Sequence, residues 1–261
     1  MNSSHSFHLK KVLIIAVAAC IYGCQTSDSK IEKKTEASKK KVTHKQNELA
    51  KKIEEPIKPD TLEQSIIDAG LIDVQSIAPN ILVNLKYATV DNFMSQNLYG
   101  SLKKAYLQPD VAASLLESQI FLQSIDSSLT LLIYDAVRPR SVQQFMWDYL
   151  DMPISEKIKF VSNPKNGSIH NYGSAVDLTI ARLNGTPLDM GAKYDEIEKI
   201  AYPKLENHFL KTGEISQQQI ENRKLLRKVM KHGKFTGIST EWWHFNRYPR
   251  AKAKSLFKII E

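Results

Sequence analysis

The chain has 261 residues, of which 42% are hydrophobic and 25% charged, as in a folded globular protein rather than a disordered one. Its formal net charge is +8, but residues 1–60 hold 12 Lys, no Arg and seven acidic residues, so +5 of that excess lies there. The remaining +3 is too small and scattered to indicate a nucleic-acid-binding surface, and a Lys-rich segment near anionic lipid is the milder explanation of the charge.

The length allows one large domain or two small ones. The cysteines are Cys20 and Cys24, so nothing after residue 24 can form a disulfide or supply a thiolate to a metal. Any metal site in the body of the protein must therefore be built from His, Asp or Glu.

The first 24 residues have the pattern of a bacterial secretion signal. Lys10-Lys11 precedes an apolar run from Val12 to Gly23, which is shorter than the roughly 20 apolar residues that a membrane-spanning helix needs. The run ends at Ile21-Tyr22-Gly23-Cys24, which resembles a lipoprotein cleavage box with Cys24 as the lipidated residue. We predict a signal peptide over residues 1–24 and a lipid-anchored protein of the cell envelope.

Two alternatives remain open for this leader. The stretch Val17-Ala18-Ala19-Cys20 matches the cleavage box more literally, but cleavage there would leave apolar residues after the cut. The leader also fits an N-terminal anchor that is never cleaved. We favour Cys24 because the polar residues Gln25-Thr26-Ser27 follow it directly.

Residues 25–60 contain no aromatic residue and few large aliphatic ones, and they are rich in Lys, Glu, Ser, Thr and Gln. Such a segment buries too little apolar surface to offset the conformational entropy that it would lose on folding. We predict a flexible linker that holds the body, residues 61–261, away from a membrane.

Helical and strand patterns both occur in the body. Apolar residues recur every three or four positions in the predicted helices, and β-branched or aliphatic runs mark the predicted strands. In chain order, we predict a strand at 81–85, a helix at 110–122, a strand at 129–134, helix 141–150, strand 175–180, helix 219–231 and strand 240–245. Because the two kinds of element do not alternate regularly, the expected fold class is α+β.

Three polar clusters, at 135–139, 168–177 and 241–245, hold the candidate chemistry. His170, Asp177 and His244 form a candidate metal site, because catalytic zinc takes three N or O ligands and leaves a fourth position for water. Two neutral imidazoles and one carboxylate would keep the ion a strong Lewis acid. Gly173 would let the backbone turn closely between the first two ligands.

Glu241 and Arg138 are the candidate catalytic residues. A carboxylate close to a metal-activated water can take its proton and pass it to the leaving amine. Residues three apart on a regular strand face opposite sides, so Glu241 and His244 share a site only if the strand bends or Glu241 lies at its end. A fixed Arg138 guanidinium beside the metal is a candidate stabiliser of the oxyanion in a tetrahedral intermediate.

The order of these motifs resembles the VanX-type D-alanyl-D-alanine dipeptidases. The set is Ser-x-His-x-x-Gly-x-Ala-x-Asp at 168–177, Met-Gly-x-x-[Phe/Tyr]-Asp at 190–195 and Glu-Trp-Trp-His at 241–244. Segments 87–100 and the helix that starts at Asn222-Arg223 also look like that family. The match covers roughly residues 75–250, and the combined order and spacing are specific where each motif alone is weak.

The resemblance implies one domain with a central, mainly antiparallel sheet flanked by helices, as in the hedgehog/D,D-peptidase fold. It implies one Zn²⁺ per chain and a small dipeptide as the substrate. The site residues it implies are the ligands His170, Asp177 and His244, the base Glu241 and the transition-state stabiliser Arg138.

Two further roles follow from the same resemblance. Asp195 matches the carboxylate that receives the free ammonium of the dipeptide, which would disfavour an acylated peptide, and Ser168 matches a residue near the substrate. The chain departs from the family at Tyr194, where Phe is common. Its leader is also not shared by the cytoplasmic resistance enzymes, which puts the physiological role in doubt more than the chemistry.

Simpler interpretations compete with these roles. Arg138 could pair with Asp135 at a surface turn, Asp195 could cap a following helix, and the basic run 223–231 could be a solvated helix face. Two other functions also fit the motifs: a D,D-carboxypeptidase acting on peptidoglycan stem peptides, and a non-catalytic zinc-containing module that binds the cell wall. Asp195 argues against the first and Glu241 against the second.

Overall fold

The computed structural model describes residues 59–158 and 161–261. The predicted signal peptide, both cysteines and the linker up to residue 58 lie outside the described residues. Helix α1, Pro59–Asp68, is the first element of the described residues. Pro59 suits this start, because its fixed φ fits the first helical turn. In the described ranges, no helix combines the length and apolarity needed to cross a bilayer.

The mixture of helices and strands confirms the predicted α+β class. The helices are α1, α2 (Pro109–Ile125), α3 (Arg140–Tyr149), α4 (Ile154–Lys157), α5 (Glu206–Thr212), α6 (Gln217–His232) and α7 (Arg250–Leu256). The strands are β1 (Ile72–Asp73), β2 (Leu82–Val83), β3 (Tyr106–Leu107), β4 (Leu129–Asp135), β5 (Ala175–Arg182), β6 (Thr236–Gly237) and β7 (His244–Asn246).

A five-stranded sheet in the order β2-β4-β5-β7-β6 forms the centre of the fold. Strands β2 and β4 pair in parallel, whereas the other neighbours are antiparallel, which confirms the mainly antiparallel sheet. Every residue of β4 and the first seven residues of β5 are buried. Helices α2 and α6 pack against each other, and α2 also packs on β4, so the two longest strands have a rigid support.

The last predicted strand is wrong over residues 240–243, because β7 begins only at His244. Trp242 and Trp243, which precede the strand, are both 4% exposed. Glu241 consequently lies just before the strand, which is one of the two placements that allow it to share a site with His244.

The basic run 223–231 is a solvated face only in part. Lys224, Lys228 and Lys231 are exposed, but the Arg223 side chain is completely buried. Its guanidinium donates hydrogen bonds to the carbonyl oxygens of Met190 (2.6 Å) and Ile200 (3.1 Å). Arg223 thus ties α6 to both ends of the segment 190–200.

Candidate active site

Three side-chain atoms converge at one end of the central sheet. The Asp177 Oδ1 atom lies 2.9 Å from His244 Nδ1 and 3.3 Å from His170 Nε2, and the two imidazole nitrogens are 3.1 Å apart. Among the described residues these three form the group that could hold a metal ion. Ligand atoms bound at about 2.0–2.1 Å in a tetrahedral zinc site are separated by roughly 3.3 Å, so the spacing fits such an ion.

Local structure explains how each ligand reaches this point. His170 lies in a 3-10 turn, Ile169–Tyr172, which ends at Gly173 with φ +62. A Cβ atom at Gly173 would approach the Leu71 side chain to 2.7 Å, so this close turn requires glycine. Asp177 follows on β5 and is directly paired with His244 on β7.

Each imidazole is oriented by a hydrogen bond at its other nitrogen. His170 Nδ1 lies 2.7 Å from the Ala136 carbonyl oxygen, which can only accept, so Nδ1 carries the proton and Nε2 is free to ligate. His244 Nε2 lies 2.9 Å from Asn246 Oδ1, which leaves Nδ1 free to ligate. Both lone pairs therefore point at the shared centre, as outer hydrogen bonds commonly arrange in metal sites.

The pKa values of Asp177 and His244 depend on the charges and hydrogen bonds of their neighbours. Burial alone would raise the pKa of the Asp177 carboxyl, but the charge and hydrogen bond of His170, followed by those of His244, hold that pKa far below its ordinary value. Burial disfavours a charged His244, yet the hydrogen bond and charge of Asp177 raise the pKa of His244 to about 9. Asp177 and His244 therefore stabilise each other's charged form.

Glu241 lies at the edge of this cluster. Its Oε2 atom is 3.9 Å from His244 Nδ1, and its side chain is 29% exposed. Burial is the main cause that raises the pKa of the Glu241 carboxyl above its ordinary value. A raised pKa makes a carboxylate a better proton acceptor, which suits a general base.

Arg138 is paired with Asp135, but the pair is buried and not at a surface turn. Its Nε and Nη2 atoms donate to Asp135 Oδ2 at 2.9 and 2.5 Å, and Nη1 donates to Gln143 Oε1 at 3.3 Å. The Nη2 atom is also 3.7 Å from Asp177 Oδ2. The guanidinium is therefore fixed beside the metal cluster.

Asp195 caps no helix, because the next regular segment is a 3-10 turn that begins at Lys199 with Glu198 as its cap. Its backbone has φ +59, and its Oδ1 atom accepts a hydrogen bond of 3.1 Å from the Tyr87 hydroxyl. Its Oδ2 atom is buried without a hydrogen-bond partner. Burial, reinforced by the charge of Asp177, raises the pKa of Asp195 to about 8.

One cavity of about 230 Å³ connects these groups, with all three cluster residues, Arg138, Asp195, Glu241 and Ser168 in its lining. This volume is below the roughly 300–1,000 Å³ of sites for drug-sized ligands, so the cavity suits a small substrate. The hydroxyl of Ser168 also caps the 3-10 turn of His170 by accepting from the His170 N–H at 3.3 Å. Its position therefore serves the turn as well as the cavity wall.

Three tyrosines of the site were given no role by the sequence motifs. Tyr194 donates to Asp177 Oδ2 at 3.1 Å, Tyr87 donates to Asp195, and Tyr99 donates to the buried Asp135 at 2.6 Å. The tyrosines at 87 and 99 lie in segments that resemble the family, and Tyr194 lies in the motif at 190–195. Their positions were available in the sequence, but their partners are up to 108 residues away.

Comparison with known proteins places the chain in a family. The sequence model of the peptidase M15 family, described as D-ala-D-ala dipeptidase, matches residues 67–260. The D-alanyl-D-alanine dipeptidase of Escherichia coli (strain K12) is 35% identical over 175 residues, which cover 67% of this chain and 83% of that protein. The D-alanyl-D-alanine dipeptidase of Enterococcus faecium is 26% identical over 194 residues, covering 69% and 92%. The chain therefore belongs to the peptidase M15 family of D-alanyl-D-alanine dipeptidases.

Proposed function

We propose that this protein is a zinc-dependent dipeptidase that hydrolyses D-alanyl-D-alanine or closely related small dipeptides. The observation that carries the proposal is the convergence of His170, Asp177 and His244 in the same small cavity as two further carboxylates and a buried guanidinium. Membership of the dipeptidase family and the names of its relatives supply the reaction.

The chemistry of the ligand set supports zinc. Two imidazole nitrogens and one carboxylate oxygen match the His₂-carboxylate sets of catalytic zinc sites, whereas Mg²⁺ and Ca²⁺ prefer oxygen ligands alone. When bound, zinc supplies Lewis acidity that lowers the pKa of a water and polarises the scissile carbonyl. The three residues would hold the ion, and all three line the cavity.

Glu241 is the group that moves protons in this proposal. It accepts a proton from the attacking water and delivers it to the nitrogen of the departing amino acid, so the base of the first step becomes the acid of the second. Its place before β7 and the 3.9 Å distance of its Oε2 atom from His244 Nδ1 support this role, because the carboxylate lies beside the ligand cluster. Its raised pKa favours the transfer.

Arg138 would stabilise the negative charge that develops on the carbonyl oxygen. Its hydrogen bonds to Asp135 and Gln143 engage three of the five N–H donors of a guanidinium, which leaves two for a substrate oxygen. Because Asp135 fixes the fork in advance, the donors need no reorganisation when the charge appears.

Asp195 would select the substrate through its free ammonium group. The buried Oδ2 atom lacks a partner, and a carboxylate in such a place is costly until a cation approaches it. An N-acylated peptide presents a neutral amide instead of an ammonium, so it would leave the carboxylate uncompensated. Ser168 lines the same cavity and would contact the substrate.

We also propose that the protein is anchored in the cell envelope. Cleavage before Cys24 and lipidation of this cysteine would anchor the chain in the cell envelope, with residues 25–60 as the tether. The pattern of the first 60 residues is what supports this assignment. Labelling with a radioactive fatty acid tests it: Cys24→Ser should lose the label and Cys20→Ser should keep it. The reverse result would move the anchor to Cys20.

The test of the activity is a hydrolysis panel with the purified, zinc-loaded full-length chain. Free D-alanyl-D-alanine should be cleaved and its N-acetylated analogue should be poor. Preferential cleavage of the acylated analogue would favour the D,D-carboxypeptidase, and absence of turnover on every peptide, with cell-wall binding retained by Glu241→Ala, would favour the binding module.

A further inference from the structure

The two oxygens of the Asp177 carboxylate have different surroundings. Oδ1 belongs to the ligand cluster, where it lies 2.9 Å from His244 Nδ1 and 3.3 Å from His170 Nε2. Oδ2 points away from that cluster and accepts a hydrogen bond of 3.1 Å from the Tyr194 hydroxyl. It is also 3.7 Å from Arg138 Nη2. One oxygen of the carboxylate, Oδ1, therefore faces the metal cluster, and the other, Oδ2, faces Tyr194 and Arg138.

The Tyr194 ring is fixed by other aromatic rings. Its centroid lies 5.1 Å from Tyr134, 5.5 Å from Trp243 and 6.3 Å from Tyr87, in tilted or edge-to-face contacts. Such contacts hold a ring in one orientation, so the hydroxyl is directed at Asp177 Oδ2 before any ligand arrives. The hydrogen bond thus costs little additional side-chain entropy.

We propose that Tyr194 is a positioning residue for the metal site, which holds Asp177 as a ligand through Oδ1 alone. The inference rests on the proposed function, because it assigns a role toward zinc. Without the hydroxyl, Oδ2 loses its hydrogen bond and keeps only the more distant Arg138 Nη2, so the metal-facing oxygen is held less firmly. Hydrogen bonds of this outer kind commonly contribute about 10–100-fold to metal affinity.

The same segment also links the metal site to substrate selection. Asp195 follows Tyr194 directly and has the left-handed backbone conformation φ +59, so consecutive side chains reach the metal ligand and the ammonium site. One short stretch of backbone therefore contributes to the positions of both the Asp177 carboxylate and the Asp195 carboxylate.

The test compares zinc affinity in Tyr194→Phe with that in the parent chain. Phenylalanine keeps the ring and its packing and removes only the hydroxyl. Tyr134→Phe is the matched control, because it removes a hydroxyl from the same ring cluster without removing a hydrogen bond to Asp177. All proteins are full-length chains that carry Cys20→Ser and Cys24→Ser, so no thiol competes for the ion. Zinc dissociation constants are measured by competition with a chromophoric chelator, and thermal unfolding of the metal-free forms checks folding.

We expect zinc affinity to fall about 10-fold in Tyr194→Phe and to change less than twofold in Tyr134→Phe. At saturating zinc, the KM for D-alanyl-D-alanine should stay within about twofold of the parent, since the ammonium site is intact. Equal or tighter zinc binding by Tyr194→Phe would overturn the inference and leave the dipeptidase function standing. A parent that binds zinc but cleaves no dipeptide would reject the function, while the affinity comparison still decides the role of Tyr194. A parent that binds no zinc rejects both.

Discussion

Asp177 and His244 occupy directly paired positions on the neighbouring antiparallel strands β5 and β7, with Oδ1 and Nδ1 2.9 Å apart. Two of the three ligands are thus set by strand register and not by a mobile loop. The sheet that holds them has its own buried core in β4 and β5. The metal site is therefore built on a scaffold that does not need the metal in order to fold.

Chelation should consequently abolish dipeptide hydrolysis and leave the far-ultraviolet circular dichroism almost unchanged. Added zinc should restore the activity, and at 100 times its dissociation constant it should stabilise the fold by about 2.7 kcal/mol, seen as a higher Tm. Hydrolysis that survives metal removal would contradict the proposed mechanism. Loss of secondary structure on chelation would show that the metal, and not the sheet, organises this region.

Glu241→Gln should retain zinc binding and lose turnover. The amide keeps the size of the side chain but cannot accept a proton, and general-base contributions are typically about 10²–10⁴-fold in kcat. KM should remain within a few-fold, because Glu241 is not a substrate-binding group in the proposal. Glu117→Gln is the matched control, since Glu117 is exposed on α2 and does not line the cavity. A Glu241→Gln enzyme with near-normal kcat would remove this residue from the reaction.

Arg138→Lys should lower kcat/KM by about 100-fold at saturating zinc. The guanidinium binds Asp135 and still has two free N–H donors, and a lysine cannot do both. The loss of an oxyanion donor costs roughly 3 kcal/mol. The exposed Arg140, which pairs with Glu261, supplies the control Arg140→Lys. Because Asp135 is fully buried, the Arg138 variant should also unfold at a lower temperature. A lower Tm with unchanged kcat/KM would assign Arg138 a purely structural role.

The KM should rise as the pH falls, because Asp195 becomes protonated. Its pKa is raised to about 8 by burial and by Asp177, so the carboxyl becomes neutral as the pH falls and then binds an ammonium poorly. A bound dication would lower this pKa, so the zinc-loaded enzyme should show the rise in KM below pH 8. Asp195→Asn should have a higher KM without that acid-side rise, and it should lose its discrimination against the N-acetylated dipeptide. An unchanged preference in Asp195→Asn would place the ammonium elsewhere.

The order and spacing of the motifs were sufficient to predict that the metal cluster and Glu241 share one site, because that combination of residue types and spacing is specific. The strand that carries His244 was harder to predict. Thr240 and the aromatic residues Trp242, Trp243 and Phe245 favour a strand over 240–245, but β7 forms and pairs with β5 only over His244–Asn246. Local composition could not reveal where the pairing begins, because strand pairing depends on the tertiary fold.

The supporting contacts were beyond sequence reasoning for a different reason. Tyr87 and Asp195 are 108 residues apart, and Gln143, which binds Arg138, lies on a helix that packs only in the folded chain. A basic residue on an amphipathic helix is usually solvated, so the burial of Arg223 also has no local signal. These contacts follow from tertiary packing, which sequence periodicity does not encode.

Arg223 gives the segment 190–200 its fixed ends. Its guanidinium donates to the Met190 and Ile200 carbonyl oxygens, and the neighbouring Asn222 side chain donates to the Asp189 carbonyl oxygen at 2.7 Å. The stretch between these anchors includes Asp195 in its left-handed conformation. A positive φ is uncommon for a residue other than glycine, although aspartate tolerates it better than most, so the position of Asp195 depends on such anchors.

Arg223→Lys should therefore impair substrate selection as well as stability. Lysine keeps the charge but cannot bind both carbonyl groups in the same geometry, and each lost bond from a charged donor costs about 1.5–3 kcal/mol. At saturating zinc we expect a KM about 10-fold higher and weaker discrimination against the N-acetylated dipeptide. Arg227→Lys is the control, because Arg227 binds Glu206 and not this segment. If Arg223→Lys lowers the Tm but leaves KM and discrimination at parental values, the anchor serves folding alone, and the position of Asp195 must be fixed by the Tyr87 hydrogen bond.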